Sequence, residues 1–121
     1  MGRITTHVLD TANGKPGQGI SLQLYYIQQG VQQAQRVLRC ATHTNADGRC
    51  DQALIEAEQL DVGVYEIDFS VGAYFAKMGH ELPTPNFLDR ITLRFGVADG
   101  AAHYHVPLLV TPWSYSTYRG S

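Results

Sequence analysis

Apolar residues in this chain recur at every second position, and that alternation decides most of what it can fold into. In the run from Tyr65 to Phe69, Tyr65, Ile67 and Phe69 alternate with Glu66 and Asp68. From Arg90 to Val97, Ile91, Leu93, Phe95 and Val97 alternate with Arg90, Thr92 and Arg94. Residues 20–26 place Ile20, Leu22, Leu24 and Tyr26 on one side and Ser21, Gln23 and Tyr25 on the other. Residues 4–10 and 103–110 follow the same rule, with Ile4, Thr6 and Val8 in one segment and Tyr104, Val106, Leu108 and Val110 in the other. Successive strand side chains point to opposite faces, so each segment is a strand with one buried face.

Turn-forming clusters separate these segments, at residues 10–19, 28–30, 45–49, 82–86 and 98–102. The Ala98-Asp99-Gly100 step between two strong strands predicts a hairpin. One segment breaks the period. Val71, Tyr74, Phe75 and Met78 have helical spacing and Gly79 follows, so residues 71–79 are expected to form a short helix. Residues 54–60 read equally as a helical turn or a connecting loop. The resulting expectation is an all-β, two-sheet sandwich of seven to eight strands with one short helix, a single domain over residues 1–121.

Composition narrows the function classes. Apolar residues make up 44% of the 121 and charged residues 17%, enough for one core and too apolar for disorder. A net charge of −2 with dispersed arginines gives no attraction for nucleic acid or an anionic membrane, so neither is expected as a partner. Cys40 and Cys50 fit neither a zinc pair nor a redox CxxC spacing, and are expected to be reduced. No stretch has the length of a membrane span, and the N-terminal residues lack the apolar region of a secretory signal. They match a loose acylation pattern through Gly2 and Thr6, but read as well as a first strand. The C-terminal Arg-Gly-Ser is not a peroxisomal address, and a cytoplasmic protein is the expectation.

Chemistry is sought first among the histidines, which titrate near neutral pH. Parity puts His103, His105, Pro107 and Leu109 on the non-core face of their strand, and Thr5, His7 and Leu9 on the non-core face of theirs. Leucine on a polar face suggests that something covers it. His103, His105 and His7 could supply three zinc ligands, although no thiol or carboxylate stands close to the pair in sequence. Arg49 follows a turn, where a guanidinium fork can hold carbonyl or anionic oxygens. No serine sits in a GxSxG elbow and no glycine-rich run has phosphate-loop spacing, so water attack assisted by histidine is favoured over an acyl-enzyme.

The segments ITTHVLD, NADGRC and YHVPLLVTPWSYSTYRGS resemble, nearly end to end, the transthyretin-related 5-hydroxyisourate hydrolases, with the terminal YRGS as the most specific mark. The resemblance implies a transthyretin (prealbumin)-like sandwich with its helix at residues 71–79. It implies a homotetramer, a dimer of dimers, with sites at the dimer–dimer interface lined by the first strand and the last two. Carried over by motif, the catalytic residues fall on His7, Arg49, His105 and Ser121, and the substrate-binding residues on Tyr118, Arg119 and Gly120. His103 lies outside the motif and takes no role from it. The implied reaction belongs to urate catabolism: hydrolysis of 5-hydroxyisourate to 2-oxo-4-hydroxy-4-carboxy-5-ureidoimidazoline, with no metal or organic cofactor. A hormone carrier with the same sandwich is the rival reading, weakened by the YRGS ending and by His7 on the first strand.

Overall fold

Every segment quoted above for its period of two is a strand. The computed structural model describes residues 2–30 and 32–121. Its elements are β1 (Arg3–Asp10), β2 (Lys15–Pro16), β3 (Ser21–Gln28), β4 (Gln35–His43), β5 (Ile55–Glu56), a 3-10 turn (Ala57–Gln59), β6 (Gly63–Ser70), α1 (Val71–Lys77), β7 (Arg90–Val97), β8 (His103–Val110) and β9 (Tyr115–Thr117). β2 and β5 have two residues each, so among the described residues seven longer strands carry the architecture. Met1, the first residue of the acylation pattern, lies outside the described residues, while Thr6 is part of β1.

The strands form two sheets, ordered β2-β1-β8-β9 (with β5 paired to β1) and β4-β3-β6-β7. Their apolar faces meet: Ile4, Val8, Leu22, Ile67, Phe69 and Leu108 are all fully buried in one shared core. β1 and β8 pair in parallel, from Arg3 opposite His103 to Asp10 opposite Val110. The other strand pairs are antiparallel.

The hairpin expected at residues 98–100 does not form. β7 and β8 belong to different sheets, and residues 98–102 carry the chain across the sandwich. Both strands are amphipathic, and facing each other from opposite sheets buries both apolar faces at once. The Tyr104 hydroxyl holds the crossing by accepting the Ala98 and Asp99 N–H groups, each at 3.0 Å.

α1 buries Val71, Tyr74 and Phe75 and ends at Lys77. Gly79, at φ +89°, reverses the backbone; its N–H donates to the Ala76 carbonyl and the His80 N–H to that of Phe75. This paired closure satisfies two end carbonyls, and glycine adopts the required conformation without strain. Residues 54–60 resolve into β5 and the 3-10 turn.

α1 is tied to the end of β1 through Asp10, which is 1% exposed. Its carboxylate accepts from the Tyr74 hydroxyl at 2.6 Å, the Asn13 amide at 2.7 Å and two backbone N–H groups. Burial pushes the Asp10 carboxyl up, but these hydrogen bonds together outweigh it and leave it below the ordinary aspartate value. The same burial and the same bond push the Tyr74 phenol up.

Candidate active site

The parallel register of β1 and β8 brings residues a hundred positions apart onto one face. Thr5 stands opposite His105, and Arg3 opposite His103. Thr5 Oγ1 lies 2.7 Å from His103 Nε2 and 2.8 Å from His105 Nδ1, so one hydroxyl joins both rings. With Nδ1 engaged, His105 has Nε2 as its free nitrogen. Burial comes first in holding His105 below the ordinary imidazole value; the Arg49 guanidinium and the imidazoles of His103 and His7 add to it. His105 is therefore neutral at pH 7, and its Nε2 can take a proton whenever Nδ1 holds the N–H of the ring.

His7 is two residues further along β1, about 7 Å from Thr5 between Cα atoms. Its Nε2 lies 3.0 Å from the Asp47 carbonyl oxygen. A carbonyl can only accept, so Nε2 carries a proton, and in the neutral ring Nδ1 keeps a lone pair. That carbonyl belongs to the turn that delivers Arg49. The Asn45 side-chain oxygen accepts the N–H groups of Asp47 and Arg49, and Gly48 sits at φ +78°. A side-chain carbon at position 48 would come within 2.4 Å of the Val8 carbonyl oxygen. Glycine lets the turn press onto β1, where Val8 N–H donates to the Gly48 carbonyl at 2.8 Å and His7 bridges to Arg49. The Arg49 Nε stands 3.4 Å from the Asp47 carboxylate, and the guanidinium remains half exposed.

The C-terminal tail closes the other side. β9 pairs with residues 108–110 of β8, and the chain then runs on along β8 until Gly120 N–H donates to the His105 carbonyl at 2.8 Å. A side-chain carbon at position 120 would lie 2.6 Å from Cδ2 of the His105 ring. The absence of one lets the tail lie against the imidazole and sets Ser121 at the cleft.

Arg49, Thr5, His103, His105 and Ser121 line this cleft of about 360 Å³, in the size range of small-molecule sites. His7 is not among the lining residues; it is joined to the cleft through its backbone bridge to Arg49. Tyr118 and Arg119 do not join them. They border a larger, more apolar cavity of about 550 Å³ between β7 and β8–β9, where Arg119 lies 4.2 Å from the centre of the Tyr104 ring. Arg119 also donates to the His103 carbonyl at 3.3 Å, so its visible work is to hold the tail.

Cys50 lines the small cleft too, but burial first, with Cys40 and Asp51 behind it, pushes its thiol up to about 11. It stays protonated at neutral pH and is no nucleophile. Among the described residues no group of three or more His, Cys, Asp or Glu side chains is placed to hold a metal ion. Two residues escape sequence reasoning. Parity puts Thr5 on this face and leaves His103 without a role, and nothing local announces that one hydroxyl joins two histidines from the far end of the chain.

Two sheets packed face to face, a helix directly after β6 and a parallel β1–β8 pair define a transthyretin-like β-sandwich. The sequence profile of the HIUase/Transthyretin family matches residues 4–120, and the chain belongs to that family. It is 58% identical to a 5-hydroxyisourate hydrolase of Ralstonia nicotianae, with 100% of both chains covered. Among solved structures, an (S)-allantoin synthase matches 99% of the chain with a TM-score of 0.91 and 43% identity; this chain spans 44% of that protein's length. A transthyretin from Sparus aurata covers 96% of this chain and 94% of its own, with a TM-score of 0.83 and 25% identity.

Proposed function

We propose that this chain is a 5-hydroxyisourate hydrolase of urate catabolism, opening the six-membered ring by attack of a histidine-activated water on a cyclic amide. The observation that carries this reading is the His105 ring, fixed at Nδ1 and free at Nε2, facing a polar cleft beside Arg49 and the Ser121 terminus. The family and the full-length hydrolase relative support the same substrate.

In this reading His105 Nε2 takes a proton from water as its oxygen attacks the ring carbonyl carbon. Arg49 polarises that carbonyl and stabilises the oxyanion, a role commonly worth about 3–4 kcal/mol. His7, its Nε2–H committed to the Asp47 carbonyl, offers Nδ1 to orient the water. The proton taken by His105 returns to the leaving ring nitrogen, which completes hydrolysis to 2-oxo-4-hydroxy-4-carboxy-5-ureidoimidazoline. The Ser121 hydroxyl binds substrate or water directly. Gly120 keeps space for the His105 ring, and Arg119 acts by seating the tail. No step needs a metal or organic cofactor.

The assembly belongs to the same proposal: one domain over residues 1–121, a homotetramer built as a dimer of dimers, with the clefts at the dimer–dimer interface. Leu9 and Leu109 lie half-buried on the face that carries His7 and His105, as an interface would require. β7 and β9 end their sheets and flank one cavity, so both sheet edges are open on the same side to a second copy. No helix among the described residues is long and apolar enough to cross a membrane, and a cytoplasmic location completes the reading.

The test is the ultraviolet decay of freshly generated 5-hydroxyisourate with and without the protein. Acceleration over the spontaneous rate is expected, and identical rates overturn the proposal.

A further inference from the structure

A hydroxyl has one proton to donate, and the Thr5 hydroxyl has two imidazole nitrogens to satisfy. It lies 2.7 Å from His103 Nε2 and 2.8 Å from His105 Nδ1, both within strong hydrogen-bond range. It can donate to one ring only while accepting an N–H from the other. The two tautomers are therefore locked together. When His105 Nδ1 carries a proton, Thr5 donates to an unprotonated His103 Nε2, and His105 Nε2 is free. In the reverse arrangement His103 Nε2–H donates to Thr5, Thr5 donates to His105 Nδ1, and His105 Nε2 carries the proton.

We propose that Thr5 and His103 are positioning residues that set the tautomer of His105 and relay its proton. A proton arriving at His105 Nε2 is matched by the Nδ1 proton moving to Thr5 Oγ1 while the Thr5 hydroxyl proton moves to His103 Nε2. The balance closes: one proton enters at His105, the threonine is unchanged, and one proton arrives at His103. The step reverses when the leaving nitrogen needs its proton back.

The surroundings keep both rings neutral at rest and make His103 only a transient holder of the relayed proton. Burial first, then Arg3 and Arg119, hold His103 below the ordinary imidazole value, and His105 is lowered as well. At neutral pH neither ring keeps a second proton, which leaves the donor–acceptor order across Thr5 free to switch. The charged and titratable groups around the chain are Arg3 and His7 on β1, Arg49 on its turn with Cys50 and Asp51 after it, Arg119 on the tail and Glu56 on β5. His103 also lines a solvent-open cleft of about 380 Å³ with Arg3 and Glu56, where the far end of the chain meets water.

The kinetic part of the test rests on the hydrolase reading; the spectroscopic part does not. With ¹⁵N-labelled histidine in the intact protein, His105 Nδ1 and His103 Nε2 should show complementary protonation, and Thr5→Val should uncouple them. In turnover, Thr5→Val should lower kcat by about 10- to 100-fold, as loss of a group that orients a reacting one does. KM should stay within about twofold, because substrate contacts are kept. Thr5→Ser, which restores the hydroxyl, should recover most of the loss. His103→Asn should lower kcat similarly, and adding it to Thr5→Val should cost nothing further. Should Thr5→Val fail to fold, His103→Asn and the wild-type ¹⁵N spectrum still decide the matter. Wild-type kcat in Thr5→Val, additive losses, or a His105 spectrum indifferent to the Thr5 hydroxyl would overturn the relay. A wild-type protein that leaves 5-hydroxyisourate decay unchanged would sink the hydrolase reading, while the ¹⁵N coupling would still judge the relay.

Discussion

Gly120 carries a hydrogen where any other residue would push a carbon into His105. The built carbon lies 2.6 Å from the imidazole Cδ2, closer than real contacts allow, and the neighbouring atom is a ring aimed at chemistry. Gly120→Ala should therefore displace the ring more than it destabilises the fold. We expect kcat to fall by about tenfold or more, since small misplacements of a reacting group cost up to about 100-fold. The melting temperature should change little, and kinetics alongside a thermal melt check both. A second expectation concerns pH. His105 acts as a base when unprotonated, and burial together with Arg49 holds it below the ordinary imidazole value of 6.5. The acid limb of kcat/KM should thus lie below pH 6.5, with activity kept as pH falls through that value and lost only further down. A limb at or above the ordinary value contradicts this electrostatic picture.

Among elements, the join between β1 and α1 depends on one carboxylate. Tyr74→Phe removes a buried donor from Asp10 and should cost about 1–3 kcal/mol in urea unfolding. Asp10 is held below its ordinary value, so its contribution is present above the unfolded-state pKa of about 3.9 and lost as pH falls through the lower folded value. Asp10→Asn should flatten the acid side of the stability curve relative to wild type. The elements also show how far pattern reading reaches. β1, β3, β6, β7 and β8 are legible because each has one buried face, and α1 because Gly79 stops a helical stripe. β4 is not, because it is an edge strand with exposed or half-exposed residues throughout, so its period is blurred. The false hairpin at residues 98–100 has a similar cause: turn chemistry records that the chain reverses, but not whether it stays in the same sheet. In the candidate site, parity finds the faces of His7 and His105. The Thr5 bridge needs a parallel register between distant segments, which no local signal encodes.

For the whole molecule, the sandwich does not choose between chemistries. A transthyretin overlays it with a TM-score of 0.83, so function has to be argued from the cleft and the tail. Deleting Arg119–Ser121 removes the Gly120 clasp and the Ser121 terminus together while leaving both sheets in place. Turnover should be largely lost, with the circular dichroism spectrum and the sedimentation behaviour of the full chain kept. Normal activity in the truncated chain would remove the tail from the mechanism. The central claim, that an imidazole held by Thr5 activates water in this cleft, is tested most directly by one comparison: 5-hydroxyisourate decay catalysed by wild type and by His105→Ala at equal concentration of folded protein. Wild type should accelerate decay, and the variant should lose about 10²- to 10⁴-fold of that rate, the usual contribution of a general base. Equal rates from the two proteins would contradict that claim.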